Sequence, residues 1–203
     1  DFLKKSRIQS RETSEQASSL TRHITGLLRE KLPRDLYEFL VKSGETADEL
    51  NMNAYMVGGC VRDMLRGEEN LDIDVVIEGD VIIFAKKLAG IMHAKVTVYK
   101  RFGTAHIIIP KEYPLKVQGS KIDIATARTE YYESPGALPT VETSSIKKDL
   151  YRRDFTINTL SVKLNKKDFG TLIDFFGGQR DLKDRSIRAL HNLSFVEDPT
   201  RDF

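Results

Sequence analysis

The chain has 203 residues, of which 40% are hydrophobic and 31% are charged, and its formal net charge is +2. This length and composition predict one folded domain with a core, and they exclude a largely disordered or membrane-embedded chain. No apolar run approaches the ~18 residues that a spanning helix needs. A charge of +2 neither requires nor excludes a nucleic-acid partner.

Cysteine content and the N-terminal residues indicate the compartment. The single cysteine, Cys60, cannot form an internal disulfide, which fits a reducing environment. The N-terminus lacks the apolar core of a signal peptide. A cytoplasmic location without membrane contact is therefore predicted.

Two helices are predicted before the first strand. Residues 1 to about 14 are polar and are interpreted as a linker. From Ala17, apolar residues recur at helical spacing and predict a short amphipathic helix. Pro33 suits the first turn of a second helix, in which Gly44 is a weak point or a break. The buried stripe of this second helix is predicted to be Leu36, Phe39, Leu40, Ala47 and Leu50.

The stretch from Tyr55 to Glu78 predicts a phosphate site. An apolar strand leads into Gly58 and Gly59, a helical turn carries Arg62, and a second apolar strand follows. Glycines let the backbone approach a ligand closely, and the N–H groups at a helix start attract phosphate. A Gly-Gly pair alone is more often an ordinary turn, and the spacing matches neither a P-loop nor a dinucleotide-binding motif.

Two aspartates on the second strand predict a metal site. Asp72 and Asp74 are one residue apart, so their side chains are predicted to share a face. Their mutual repulsion would be relieved by a divalent cation such as Mg²⁺. Asp123, on a later strand, offers a third carboxylate and makes a two-metal phosphoryl-transfer site possible. The alternative for Asp123 is a salt bridge to Lys121 or Arg128.

The later elements alternate between strands and helices. A helix is predicted from Val81 to Ile91, with Ile91 facing inward, and residues 127–145 are predicted to be a long irregular segment. His106 is interpreted as a bonded core histidine. The remaining predictions are strands at 95–99, 105–109 and 122–127, a helix after Ser144 and Ser145, a hairpin of 161–165 with 171–176, a short charged helix after Gly177 and Gly178, and a strand at 186–190.

Two charged groups late in the chain are further candidates. Arg152, Arg153 and Asp154 end a helix and run directly into an apolar segment, so they cannot all face water. Arg153 and Asp154 could bond a ribose hydroxyl or phosphates, whereas a solvated helix cap is the ordinary alternative. Asp198 and Arg201 lie one helical turn apart and could present a hydrogen-bonding edge to a base. A helix N-cap with a local salt bridge is the alternative for that pair.

The chain resembles the catalytic head of the bacterial-type (class II) tRNA nucleotidyltransferase and poly(A) polymerase family. The resemblance covers about Leu32 to Arg201 and rests on the segments GGCVRDMLRG, LDIDVV, IDIATARTEYYESPGALPTVE, DLYRRDFTINTL, DFFGGQRDLKDRSIRAL and EDPTR, in that order. It implies an α/β (α+β) fold, a polymerase-β-like nucleotidyltransferase head with a mixed sheet and flanking helices. Residues 1–31 would be a linker and N-terminal helix, 32–190 the head, and 191–203 the start of a truncated helical neck.

The resemblance also implies the site. The residues that would bind two Mg²⁺ ions are Asp72, Asp74 and Asp123. The residues that would hold the nucleotide are Gly58, Gly59, Arg62, Arg152, Arg153, Asp154, Asp198 and Arg201.

The implied activity is template-independent addition of A, or of CCA, to tRNA 3′ ends from ATP and CTP with release of pyrophosphate. Poly(A) polymerase, a nucleotide-binding regulatory module without turnover, and a transferase for a small molecule are the alternatives. The family continues as a helix where this chain ends, and Asp202 replaces a residue that is usually apolar. A fragment of a longer enzyme is therefore expected.

Overall fold

A mixed sheet of eight strands organises the fold. The computed structural model describes residues 22–108, 121–131 and 140–190, with the backbone alone for 130, 131, 140 and 141. The strands are β1 (Arg22–His23), β2 (Asn53–Val57), β3 (Asp74–Glu78), β4 (Lys95–Tyr99), β5 (Thr104–Ile108), β6 (Lys121–Thr126), β7 (Arg128–Tyr131), β8 (Thr140–Thr143), β9 (Ser161–Lys163) and β10 (Thr171–Ile173). The sheet order is β1-β10-β9-β2-β3-β6-β5-β4, with β3 and β6 parallel and the other neighbours antiparallel, while β7 and β8 form a separate hairpin. The predicted mixed sheet is confirmed.

Helices cover both faces of this sheet. They are α1 (Thr25–Lys31), α2 (Arg34–Glu49), α3 (Gly59–Arg66), α4 (Val81–Ile91), α5 (Ile146–Tyr151) and α6 (Gly178–Lys183), and 3₁₀ turns span Lys100–Phe102, Thr156–Thr159 and Lys166–Asp168. None of these α-helices combines the length and the apolar composition needed to cross a membrane.

The sheet has a large core on one face and a smaller one on the other. Val75 and its alternate neighbours pack with Phe39 of α2 and Phe84 of α4 in the main core. Val76 faces the opposite way and packs with Ile146 and Leu150 of α5. This alternation along β3 is the period-two pattern of a strand buried on both faces.

Several predicted elements are confirmed. The helix at Val81–Ile91 and the strand at Lys95–Tyr99 have the predicted bounds, and the predicted hairpin exists as β9 paired with β10. The side chain of Asp80 caps α4 by accepting from the N–H groups of Ile82 (2.8 Å) and Ile83 (3.2 Å).

The N-terminal helix is shorter than predicted. Arg22 and His23 form strand β1 against β10, and the helix begins only at Thr25. Pairing with β1 satisfies backbone groups of β10 that would have been left without a strand partner if the helix had begun earlier. Ile24 and Leu28 of this segment pack in the main core.

Two predictions about side-chain environment were wrong. Helix α2 continues through Gly44 without a break. A Cβ atom at this position would lie only 1.8 Å from the carbonyl oxygen of Leu164. Gly44 therefore permits a close approach between a helix and the chain beyond β9. Ile91 is 43% exposed rather than inward, since it is the last residue of α4.

Two backbone predictions were also wrong. The segment 127–145, predicted to be irregular, contains the hairpin in which Arg128 pairs with Thr143. Polar strands of this kind lack the apolar alternation that marks a strand in sequence. The strand predicted at 186–190 is reduced to a single bridge between Phe155 and Ala189.

Candidate active site

A two-glycine turn joins β2 to α3 at one end of the sheet. Gly58 has a φ of +82°, a region that favours glycine, and its N–H donates to the carbonyl oxygen of Leu160 (3.1 Å). A Cβ atom at Gly58 would lie 2.9 Å from Nη1 of Arg153 and 3.8 Å from Oδ2 of Asp74. The glycine therefore lets a guanidinium and a carboxylate from two other elements reach the turn.

Two of the three predicted carboxylates lie side by side. Asp74 is the first residue of β3 and pairs in register with Asp123 on the parallel strand β6. Ile73 and Val75 are buried in the main core on the opposite face, as the alternation predicts. Asp72, which was predicted to lie on the strand, precedes it and is exposed.

The charge environment of Asp74 is unfavourable for a free carboxylate. Burial raises the pKa of Asp74, and the negative charges of Asp72 and Asp123 add to that rise. The positive charge of Arg153 opposes it. All three aspartates are thus close enough to interact electrostatically around Asp74.

Asp123 is held by two neighbours. His106, directly opposite on β5, has its Nδ1 at 2.5 Å from Oδ1 of Asp123, and Nζ of Lys121 lies 3.3 Å from the same oxygen. The prediction that His106 is bonded is confirmed, but its side chain is 21% exposed rather than buried in the core. The alternative ion pair between Asp123 and Lys121 is also present. The ring of His106 also makes an edge contact with Tyr99, with centroids 4.9 Å apart.

A buried aspartate anchors the two arginines that follow α5. Asp149 is 0% exposed, and its Oδ1 accepts from Nε (3.2 Å) and Nη2 (3.0 Å) of Arg152 and from the backbone N–H of Arg128 (3.1 Å). Oδ2 of Asp149 lies 3.7 Å from Nη2 of Arg153. Nε of Arg153 is buried without a hydrogen-bond partner in the described part of the chain. The Arg153 guanidinium therefore lies beside the glycine turn, paired with Asp149 by charge, and has unused donor capacity.

Arg62 belongs to a chain of polar contacts across the site. Its Nε and Nη2 donate to the two carboxylate oxygens of Asp63 (2.7 and 3.0 Å), and its Nη1 donates to Oδ1 of Asn158 (2.7 Å). Nδ2 of Asn158 in turn donates to Oδ1 of Asp154 (3.1 Å), and Asn70 donates to Asp63 (2.7 Å). The hydrogen bonds from Arg62, together with those from Asn70, lower the pKa of Asp63 although its burial opposes that change.

These elements line an open polar cavity of about 400 Å³. Its lining combines the turn, α3 and the segment after α5, and consists of Gly59, Arg62, Arg152, Arg153, Asp154 and Asn158. Three guanidinium groups and a helix start in one cavity suit a polyanion. The arrangement can hold the phosphates of a nucleotide beside the carboxylates.

The family follows from comparison with known proteins. The model of the Poly A polymerase head domain matches residues 54–188, which include the turn, the carboxylates and the cavity. The chain belongs to this head-domain family.

Similar proteins are tRNA nucleotidyltransferases. An A-adding tRNA nucleotidyltransferase of Geobacter sulfurreducens is 54% identical over 94% of this chain and 21% of its own length. Thermotoga maritima CCA-adding enzyme complexed with tRNA is 47% identical, with a TM-score of 0.74 over 89% of this chain and 39% of that one. CCA-adding enzyme structures with ATP and with CTP are 48% and 46% identical, each with a TM-score of 0.75 over 89% of this chain and 40% and 38% of theirs. The chain thus spans between a fifth and two fifths of these relatives.

The head-domain residues suit a divalent cation by their chemistry. Enzymes of this nucleotidyltransferase family generally use divalent metal ions, and carboxylate oxygens are the ligands that Mg²⁺ prefers. The raised pKa of Asp74 reflects a burial cost and a repulsion that a bound cation would relieve. No group of three or more acidic, histidine or cysteine side chains in the described ranges is arranged to hold a metal ion. The predicted convergence of three ligands is therefore partial.

Sequence reasoning missed the residues that position this site. Asp149 precedes Arg152 and Arg153 by three and four residues, which is the spacing of neighbours on one helical face and could have indicated the pair. Asn158 and Asp63, which hold Arg62, carry no comparable signal. Of the predicted site residues, Asp198 and Arg201 lie outside the described residues.

Proposed function

We propose that the chain is the catalytic head of an RNA nucleotidyltransferase that adds A, or CCA, to the 3′ end of tRNA from ATP and CTP. One observation carries the proposal: the Arg153 guanidinium lies against the Gly58 turn beside Asp74. A phosphate-binding cation, a turn open to a ligand and a carboxylate thereby meet at one point. Similarity to an A-adding tRNA nucleotidyltransferase and to a CCA-adding enzyme complexed with tRNA supports the RNA substrate.

Each group of residues has a role in this proposal. The triphosphate lies in the cavity, where Arg62 and Arg153 supply charge, the start of α3 at Gly59 supplies backbone N–H, and Gly58 keeps the turn open to the ligand. Arg152 and Asp154 lie at the ribose. Two sets complete the site: the magnesium ligands Asp72, Asp74 and Asp123, and the base-pairing residues Asp198 and Arg201.

The reaction is an in-line displacement at the α-phosphorus. The 3′-oxygen of the RNA forms a bond to phosphorus while the bond to the bridging oxygen breaks, pyrophosphate leaves with that electron pair, and the hydroxyl proton leaves to water. Magnesium, when bound, lowers the pKa of the attacking hydroxyl and neutralises the leaving group. Arg62 and Arg153 hold the phosphates so that the α-phosphorus lies beside the carboxylates.

The test supplies the full-length protein with tRNAs that end before the first C, after one C and after CC, and with each nucleotide in turn. Incorporation of A only after CC identifies an A-adding enzyme, stepwise addition of C, C and A identifies a CCA-adding enzyme, and long A tracts identify a poly(A) polymerase. Asp72→Ala should abolish incorporation without unfolding the protein, whereas Asp184→Asn, on an exposed site, serves as the control. An Asp72→Ala protein that retains magnesium-dependent activity contradicts the metal assignment.

Measurements of binding and of turnover on the same full-length protein distinguish an enzyme from a regulatory module. Calorimetric titration with ATP, with and without magnesium, measures binding, and release of pyrophosphate measures turnover. Tight binding without any release of pyrophosphate in the presence of tRNA would favour the regulatory module and overturn the proposed activity.

A further inference from the structure

Three aromatic side chains cluster on the surface beside the cavity. Tyr151 ends α5 and is 51% exposed, and Phe175, two residues beyond β10, is 43% exposed. Both rings contact the ring of Phe176, and the centroid distances are 5.7 Å for Tyr151 and 6.2 Å for Phe175. Phe176 itself packs against the smaller core. These three residues are called the aromatic platform below.

The register of the sheet places the platform on the same face and at the same end as the carboxylates. Asp74 pairs with Val57, Val57 with Ser161, and Ser161 with Ile173, so the four residues form one row across β3, β2, β9 and β10. Three strand spacings of about 4.8 Å give a distance of roughly 14 Å between the ends of this row. Phe175 follows Ile173 by two residues. The platform therefore lies a few nucleotide lengths from Asp74.

Cations border the platform. Nζ of Lys147 lies over the ring of Phe175, 5.7 Å from its centroid. Arg152, which lines the cavity, directly follows Tyr151 in the chain. Exposed aromatic rings interleaved with basic groups are the pattern of surfaces that bind single-stranded nucleic acid, because bases stack on the rings while the cations meet the phosphates.

We propose that the aromatic platform stacks the unpaired bases at the 3′ end of the RNA and so guides the terminal hydroxyl toward the cavity. This inference rests on the proposed function, since an RNA 3′ end must reach the carboxylates. Tyr151 and Phe175 are exposed enough for a nucleic-acid base to contact their rings. Phe176, which packs against the smaller core, contacts both exposed rings.

Leucine and tryptophan substitutions separate base stacking from plain hydrophobic contact. Tyr151→Leu and Phe175→Leu keep apolar area but remove the π face, whereas Tyr151→Trp enlarges it. The matched control is Ile83→Ala, which removes a side chain that is 53% exposed on α4, on the main-core side of the sheet. The RNA is an acceptor-stem hairpin with an unpaired 3′ end whose first unpaired base, a few nucleotides before the terminal hydroxyl, is 2-aminopurine, a fluorophore that stacking quenches.

We expect binding of this RNA to the full-length protein to quench 2-aminopurine. Each leucine variant should lose most of the quenching and raise the KM for tRNA by about 5-fold or more, the effect of losing one base–aromatic stack. Tyr151→Trp should preserve both. Affinity for ATP, measured by calorimetry, should change less than about 2-fold in all variants, because no platform residue lines the cavity.

Two results overturn the proposal. The first is a pair of leucine variants with unchanged quenching and unchanged KM for tRNA. The second is a loss confined to the thermal midpoint of the full-length protein, which would mean that another part of the polypeptide covers the platform. Nucleotide incorporation by the unmodified protein is measured separately. Quenching that depends on the platform, without incorporation, would support the platform and contradict the proposed activity. Incorporation that is unaffected by the leucine substitutions would support the activity and contradict the platform.

Discussion

Asp149→Ala is expected to destabilise the protein and to weaken nucleotide binding together. Removal of one partner from a buried ion pair costs about 3–5 kcal/mol. The side chains of Arg152 and Arg153 are 25% and 21% exposed, so water partly compensates them and the lower end, about 3 kcal/mol, applies. For a chain of this size that loss lowers the thermal midpoint by roughly 6–12 °C.

The affinity for ATP should fall in the same variant because Arg153 loses the carboxylate that fixes it beside the turn. A loss equal to one charged hydrogen bond, about 1.5 kcal/mol, corresponds to roughly tenfold in the dissociation constant. Circular dichroism follows the unfolding, and calorimetry follows the binding. Asp149→Asn, which keeps an acceptor for the Arg128 N–H, should give an intermediate result in both.

The control is Asp184→Asn, which breaks an exposed pair with Arg180 (3.5 Å, side chains 52% and 85% exposed). Exposed pairs of this kind contribute less than about 1 kcal/mol. The reasoning is refuted if Asp149→Ala and Asp184→Asn melt at the same temperature. A lowered midpoint with unchanged ATP affinity would show that Asp149 supports the fold without positioning the arginines.

Three other predictions concern the turn, the carboxylates and the helices. Burial raises the pKa of Asp74, so its ionisation destabilises the fold as the pH rises through that raised pKa. Asp74→Asn should therefore raise the melting temperature at pH 7 without divalent ions and change it little below about pH 4. The same variant should abolish nucleotide incorporation. Gly58→Ala and Gly67→Ala both place a side chain at a φ near +80°, at a cost of about 1–3 kcal/mol in stability. Only at Gly58 would the new Cβ atom contact a guanidinium, that of Arg153. Calorimetry should therefore show weaker ATP binding for Gly58→Ala alone. In urea unfolding, Gly90→Ala should stabilise α4 by roughly 0.5–1 kcal/mol, whereas Gly44→Ala should destabilise the protein, since its Cβ would lie 1.8 Å from a backbone oxygen.

Local patterns predicted the elements that carry the chemistry. The strand, the glycine turn, the helix and the second strand between Tyr55 and Glu78 each have a signal within a few residues, and the structure contains all four. Alternation also predicted that Ile73 and Val75 face the side opposite Asp74. Each of these signals spans only a few neighbouring residues, so it can be recognised in a single sequence.

Contacts between distant segments were harder to predict. The register that sets Asp74 beside Asp123 joins two strands that are far apart in sequence, and no local rule specifies parallel pairing. The hairpin at Arg128 was missed because its strands are polar and prolines lie between them. Gly44 was misjudged because the chain that approaches it belongs to another element. In each case the cause lies in tertiary packing rather than in propensity.

The electrostatics of the site are incompletely balanced within the described residues, and this imbalance has a direction. Asp74 is an acid whose ionised form is disfavoured by burial and by two other carboxylates. Arg153 is a partly buried cation whose buried Nε donor is unused, and its pKa is lowered by burial even though Asp149 opposes that change. Under the proposed function, a metal–triphosphate complex would bring positive charge to the first group and negative charge to the second. Departures from internal balance are expected at functional sites, because a preorganised site leaves charge for its ligand to neutralise.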